Sequence, residues 1–478
     1  MTMQVLAIES STSSAKAFLY DTETKAVTSA RRSYGTLHRS GMTDTEGVFR
    51  LTMGIARELA QGRDIAAIAL CGTWHGLCAV DRDWKPACPT YSWDFLDTAP
   101  YVERIQRDGA LTNIFYRRTG CMPHNTYPRH ILSYLRDRGM DMEKHRFMTQ
   151  GAYHFYRLTG EFRESRCTQS GSGLINLDSM EYDEFILNYF GIRKDQLGAL
   201  CTYRDVAPLS KEGADLLGLR PGIPVVPAHA DGALNQLGNF AHRPGVMTMS
   251  VGTSGAMRMV ADRPILPENR GLWCYLGVEG YISGAAISGA CNCVDWFRKT
   301  LLGGRVSFAE LEQGAEQERE IPVFLPFLFS ERCPGWRSER RGGFLEVDGS
   351  HTAADLYKAV QVGILMNMLQ CYRILSAENR EPEEILLSGG IANSAVWTQM
   401  AADIFQRELL VMDCPDASTM GAVALALYTA GNLEKVGDFR ADYDKAVRIR
   451  PDEERYSYYG KQYERYLDAY QKSGEREI

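Results

Sequence analysis

Two stretches of this chain follow one plan: VLAIESSTSSAKAFLY, residues 5–20, and VMTMSVGTSGAMRMV, residues 246–260. Each sets a short apolar run, then a turn of small hydroxyl or glycine residues, then a second apolar run, which predicts a hairpin of two strands. One hairpin opens each half of the chain. That predicts two domains of related fold, residues 1–241 and 242–478, meeting near Ala241–Pro244.

Size agrees with this division, since 478 residues exceed what a single core serves. An apolar fraction of 45% and a charged fraction of 24% are those of an ordinary globular protein. Lys and Arg number 53 against 60 Asp and Glu, a net charge of −7. Nucleic acid and anionic membrane normally select a basic surface, so neither is an expected partner. The apolar segment Val362–Leu375 is interrupted by Asn367, Gln370 and Arg373 and reads as a buried helix, not a membrane span. The opening MTMQVLAIES has no cationic region ahead of its apolar one and reads as the first strand. Twelve cysteines occur without a CxxC pair, and Cys291 with Cys293 cannot alone clamp zinc. Reduced thiols in the cytoplasm are the expectation.

Between and beyond the hairpins, strand and helix patterns alternate. Asp64–Cys71 and Ile223–His229 read as buried strands, and Phe155–Glu161 as a helix end closed by Gly160. Leu356–Ala377 reads as a core helix. Glu384–Leu387 reads as a strand running into Ser388-Gly389-Gly390, after which Asn393 or Ser394 caps a helix through Leu409. Ser418–Thr429 is a further helix stopped at Gly431, and the Tyr-rich tail from Asp452 a surface helix. Such alternation predicts α/β layers.

Neither GxxxxGK[ST] nor GxGxxG before a helix is present. The two hairpin turns instead offer Thr12 and Ser13, and Gly252 and Thr253. Turns of this kind direct N–H groups and short hydroxyls into one concavity that suits phosphate oxygens, although they also simply join strands. Lys16 either approaches a phosphate or lies solvated on its strand. Glu9 ends its strand where an ion bridging phosphates would sit, and otherwise is a strand-end acid; hydrated Mg2+ asks for few protein oxygens. Asp231 follows the strand IPVVPAH at a helix start. It reads either as a helix cap or as an acid at the carboxyl end of a strand, where open α/β sheets bind ligands. The helix start should lower its pKa. Trp74 and His75 follow the strand AIALCG, and Trp93 precedes Asp94; a polyol site combines an aromatic face with such polar groups. Gly389 and Gly390 would admit a flat ligand such as adenine close to the backbone.

Together these pieces resemble the FGGY carbohydrate kinases. The opening hairpin, GTWHGLCAVDRDWKPACPTYSW, RLTGE, AHADGALNQLG, MSVGTSGAMR, FLPFLFSERCPGW, LLSGGIANSAVWTQMAADIF and DASTMGAVALAL fall in that family's order. The resemblance implies two domains of actin and RNase-H-like fold, with ATP, Mg2+ and a small sugar or sugar acid between them. It makes Asp231 the catalytic base and, with Glu9, a residue at the metal. Thr12, Ser13, Lys16, Gly252 and Thr253 become phosphate contacts, Gly389, Gly390 and Asn393 adenosine contacts, and Trp74, His75 and Trp93 sugar contacts. A homodimer is implied in the same way.

GTSGAMR and ERCPGW look closer to gluconate kinases than to xylulose or glycerol kinases, though both stretches are expected outside the sugar pocket. A gluconate carboxylate calls for a cation, and Arg129 is the candidate. Departures from the pattern stand at Glu9 for aspartate, Ser11 for glycine, Lys358 and Val362 in a helix where RAxxEG is common, and Trp93-Asp94-Phe95-Leu96-Asp97 where W-x-D-x-R is common. A xylulose or other polyol kinase is therefore an alternative, as is a non-catalytic ATP-binding regulator on the same scaffold.

Overall fold

The computed structural model describes residues 3–315, 319–412, 416–440 and 446–475. In the first half, the elements that build the site are β1 (Gln4–Ser10), β2 (Ser14–Asp21), β3 (Val27–Ser33), α1 (Thr45–Ala60) and β4 (Ile65–Gly72). They continue with α2 (Gln150–Thr159), β5 (Ala207–Pro208), α3 (Lys211–Leu217), β6 (Pro224–Ala230) and α4 (Asp231–Gly238). The second half contributes β7 (Val246–Val251), β8 (Gly255–Ala261), β9 (Trp273–Leu276), β10 (Tyr281–Ile287) and α5 (Ala353–Glu378). Then follow β11 (Glu384–Ser388), α6 (Ala395–Phe405), β12 (Leu409–Val411), α7 (Ala417–Thr429), β13 (Val447–Ile449) and α8 (Tyr456–Glu475).

Both expected hairpins form. Glu9 lies opposite Lys16 in the first, and Val251 opposite Gly255 in the second. Around them the two sheets repeat one topology among the described residues. The first runs β5-β6-β4-β1-β2-β3 and the second β9-β10-β8-β7-β11-β12-β13. In each, three antiparallel strands form a meander, and two more strands add in parallel on the far side of the first. The strands that join in parallel have almost no exposed position: β4 and β6 are apolar runs buried on both faces, as parallel strands covered by helices must be.

Helices α1, α2 and α3 cover one face of the first sheet in a core that includes Phe49, Ile68, Phe155 and Val225. The other face carries α4 and, from the second half of the chain, α7. These two helices cross at van der Waals contact because their crossing residues are glycines. A Cβ on Gly238 would stand 1.9 Å from the Ala417 carbonyl oxygen, and one on Gly421 2.1 Å from that of Leu234. Helix α7, which lies between β12 and β13 of the second sheet in the chain, therefore packs on the first sheet and ties the halves together.

Two expected boundaries differ. The helix after Gly390 stops at Phe405, not Leu409; Gln406 takes a left-handed conformation with φ 55°, and Leu409 already belongs to β12. The tail helix α8 is a surface element on one side only, since Tyr459, Tyr463, Tyr466 and Ala469 are buried in the second core. No helix among the described residues is long and apolar enough to cross a membrane. All described cysteines are unpaired in disulfides, and the remaining one, Cys414, lies outside the described residues.

Candidate active site

Asp231 is the first residue of α4, directly after the last residue of β6. It is no ordinary helix cap. The cap position belongs to Ala230, and Oδ1 of Asp231 accepts from its neighbour Gly232 N at 2.8 Å and, across the sheet, from Trp74 N at 3.3 Å. Parallel pairing of β6 with β4 sets Ala230 beside Gly72, which delivers Trp74 to that place. The pKa of Asp231 is raised, contrary to what a helix start alone predicts. Burial does most of this and the Glu9 charge adds to it, against the opposing pull of Arg258 and the two backbone donors.

Trp74 serves as the floor. Its ring is 5% exposed, its Nε1–H donates to the Cys167 carbonyl at 2.9 Å, and Tyr275 meets it edge-on at 5.0 Å. A Cβ on Gly232 would lie 2.0 Å from Cζ3 of this ring. What Trp74 presents to Asp231 is thus its amide, and little of its aromatic face remains for a sugar. His75, at φ 62°, donates from Nδ1–H to the Gly171 carbonyl at 2.6 Å, since a carbonyl oxygen only accepts and Nδ1 must therefore carry the proton. Burial, then the charge of Arg332, pushes its pKa down to about 3. The ring is neutral at physiological pH, and its Nε2 is a lone-pair acceptor.

Trp93 is half-buried and donates its indole N–H to Thr12 Oγ1 at 3.2 Å, joining a sugar-side residue to the first turn. That turn is closed by Ser11 N donating to the Ser14 carbonyl at 3.0 Å, leaving Thr12 and Ser13 at its tip. The second turn closes through Gly252 N to the Ser254 carbonyl at 3.0 Å, and Thr253 is exposed. Gly389 follows β11 with φ 96°, and a Cβ on it would lie 2.5 Å from the Val251 carbonyl oxygen. The double glycine is therefore needed by the fold itself, to lay the Gly389–Gly390 turn on the Gly252–Thr253 turn. Asn393 is exposed just before Ser394, which caps α6.

Glu9 and Lys16 are more tightly engaged than the sequence indicated. Lys16 is buried, neither solvated nor free, with Nζ at 3.2 Å from Glu9 Oε1 and 2.7 Å from Asp416 Oδ1. Burial pulls the Lys16 pKa down, but the two carboxylates outweigh it and the net shift is upward. The other Glu9 oxygen accepts from Ser418 at 3.0 Å and from Thr419. The end of β1 is thereby bonded to the start of α7, next to the α4–α7 crossing.

Arg129 is not a pocket residue. It is 0% exposed, donates to Thr119 Oγ1 and to the Gly173 and Cys121 carbonyls, and lies against the rings of Phe115 and Tyr127. Two arginines from stretches expected outside the sugar pocket act on the candidate site residues instead. Arg258, on β8, acts electrostatically on Asp231 and His75, and the Arg332 guanidinium lies 5.9 Å from the centre of the Trp93 ring. Both belong to stretches singled out above, GTSGAMR and ERCPGW. Spacing along the chain could not show which way they face.

The chain matches the N-terminal domain of the FGGY family of carbohydrate kinases over residues 4–238 and its C-terminal domain over residues 247–430. The chain belongs to this family. It is a carbohydrate kinase, a phosphotransferase, and its two α/β domains are of the actin and RNase-H-like kind typical of FGGY kinases. A gluconokinase of Bacillus subtilis is 26% identical over 458 residues, 91% of this chain and 89% of that protein. A xylulose kinase of the same species is 23% identical over 450 residues, 90% and 89% of the two chains. The crystal structure of a gluconate kinase from Lactobacillus acidophilus superposes with a TM-score of 0.92 at 24% identity, covering 98% of each chain. A ligand-bound xylulose kinase from that organism gives the same TM-score and identity over 99% of each. At these identities the FGGY fold is shared by enzymes named for different sugars.

Proposed function

We propose that this FGGY kinase transfers the γ-phosphate of ATP to a primary hydroxyl of a small sugar or sugar acid, with gluconate the leading candidate and xylulose or another polyol the alternative. The observation that carries the reading is Asp231: a buried carboxylate with a raised pKa, held by the Trp74 and Gly232 amides at the carboxyl end of a parallel strand. Its Oδ1 takes those two bonds, and Oδ2 is left to orient the hydroxyl and accept its proton. A loose phosphoryl-transfer transition state asks for that proton late, so a carboxylate is base enough. A raised pKa brings it nearer the operating pH.

The neutral His75 accepts a second substrate hydroxyl at Nε2, and Trp93 supplies an aromatic edge. Thr12, Ser13, Gly252 and Thr253 bind phosphate oxygens, while Gly389, Gly390 and Asn393 bind adenosine. Among the described residues no cluster of three or more His, Cys, Asp or Glu gathers, so the site contains no built metal cage. That donor set fits Mg2+ brought on the nucleotide with its waters, near Asp231 and Glu9. The ion would neutralise phosphate charge. Lys16 is committed to Glu9 and Asp416, so its contribution to phosphate binding is to hold the β1–β2 turn and α7 together. Cytoplasmic location and a homodimer complete the proposal.

The test is ATP consumption with gluconate, other aldonates, xylulose, ribulose and glycerol. Turnover with one of them supports the assignment. Tight ATP binding without turnover across the panel would restore the regulator reading, which nothing in the site favours.

A further inference from the structure

Two cations at the substrate side of this site have no hydrogen-bonded or ion-paired partner among the described residues, although Arg258 feels the charge of Asp231. Among the described residues, neither Arg258 nor Arg332 makes an ion pair or a side-chain hydrogen bond, and the Nε of each is buried with nothing to donate to. Among the described residues the side-chain contact that Arg332 makes is with the Trp93 ring, 5.9 Å away. By contrast, buried Arg340 is met by Glu331 at 3.0 Å and half-buried Arg157 by Glu46 at 2.6 Å. An unpaired buried charge is costly, and proteins seldom keep one without a ligand to meet it.

The place of Arg332 is also built. Cys333 N donates to the Ala286 carbonyl at 3.0 Å, Trp336 N to the Arg332 carbonyl at 2.6 Å, and the neighbouring Glu331 is locked by Arg340, Tyr470 and Gly335. Trp336 is pinned in turn by its indole N–H to the Arg270 carbonyl at 2.9 Å. Arg258 sits within β8, paired with Thr248 and Gly284 on either side. Both guanidiniums are therefore presented by fixed backbone. They come from the second half of the chain and act on residues of the first: Arg332 lies 5.9 Å from the Trp93 ring, both lower the pKa of His75, and Arg258 acts on Asp231.

We propose that Arg258 and Arg332 together bind a carboxylate on the sugar, so that the substrate is a sugar acid rather than a neutral ketose or polyol. A guanidinium fork matches a carboxylate in two parallel hydrogen bonds, and in a half-buried site such a contact discriminates strongly against a substrate that lacks it. The carboxylate is the missing counter-charge. It would anchor one end of the sugar chain across the domain interface and leave the far hydroxyl for Asp231. The inference builds on the kinase reading and adds which end of the substrate is recognised, and by what.

The experiment compares matched pairs that differ only at carbon 1: erythronate with erythritol, xylonate with xylitol, gluconate with glucitol, galactonate with galactitol. Both turnover and calorimetric binding are measured. At least one aldonate is expected to exceed its alditol about 30-fold or more in kcat/KM and in affinity. In Arg332→Met that ratio should fall about tenfold or more, mainly through KM, and Arg332→Lys should recover part of it. ATP affinity should stay the same. Aldonates no better than alditols in the native protein would overturn the proposal without any variant having to fold. So would an unchanged ratio in Arg332→Met together with weakened ATP binding, which would make the arginines phosphate ligands. A binding preference for an aldonate without turnover would sink the kinase reading and leave the carboxylate site standing.

Discussion

The backbone N–H of Trp74 lies 3.3 Å from Asp231 Oδ1, and the ring of the same Trp74 fills the space where Gly232 would bear a side chain. One residue just past the end of β4 thus both orients the acid and sets the identity of its neighbour.

From this, Gly232→Ala is expected to push α4 away from Trp74, because the new Cβ would begin 2.0 Å from the ring. Overpacking of this kind costs about 1–3 kcal/mol, and displacement of Asp231 by a fraction of an ångström should lower kcat/KM by about 10²-fold. Thermal denaturation and steady-state kinetics check the two effects separately. A variant with full activity would show that the Trp74–Asp231 contact does not position the acid.

Glu9 acts on Asp231 through its charge. The base works ionised, so activity is lost as pH falls through its pKa. After burial, the Glu9 charge is what raises that pKa, with Arg258 opposing. Glu9→Gln should therefore move the acid limb of the kcat/KM profile to lower pH, whatever happens to its height. The fold should tolerate the change because Lys16 keeps Asp416 at 2.7 Å. A limb that stays in place would mean that another group controls it.

Glu164 gives a pH effect on stability away from the site. It is buried, accepts from Thr149 N at 2.7 Å and from Thr149 Oγ1 at 3.1 Å, and burial pushes its carboxyl from 4.5 up to about 7. A folded pKa above the unfolded one means that the native state holds the proton more tightly. Stability from this group is present below pH 4.5, is lost as pH rises toward 7, and is flat above. Glu164→Gln should then be more stable than the native protein at pH 8, by roughly 2–3 kcal/mol, with the gap closing near pH 4.5. Denaturant melts at the two pH values decide it.

The hairpins, the buried parallel strands and the strand-to-helix turn at Asp231 could all be read from residue pattern, because each depends on local periodicity or turn chemistry. The stop at Gln406 could not, since a left-handed glutamine carries no signal that glycine would. The packing of α7 on the first sheet was equally hidden, for it depends on glycines 183 positions apart meeting at one crossing, 238 with 421. In the site, residue types were enough to single out Asp231, His75 and the two turns as candidates. They failed for charge. Sequence put the carboxylate's cation at Arg129, which three-dimensional packing buries among carbonyls, and gave no sign that Arg258 acts on Asp231 or that Arg332 lies over Trp93. They failed as well for the pKa of Asp231, where burial and Glu9 outweigh the helix start.

The most direct test is Asp231→Asn, which keeps the shape and the acceptor for the Trp74 and Gly232 amides but cannot take a proton. Single-turnover phosphorylation of the best substrate, measured beside ATP binding, should show kcat down by about 10³-fold with nucleotide affinity unchanged. A variant that retained most of its rate would contradict the assignment of Asp231 as the proton acceptor, and with it the account of the site.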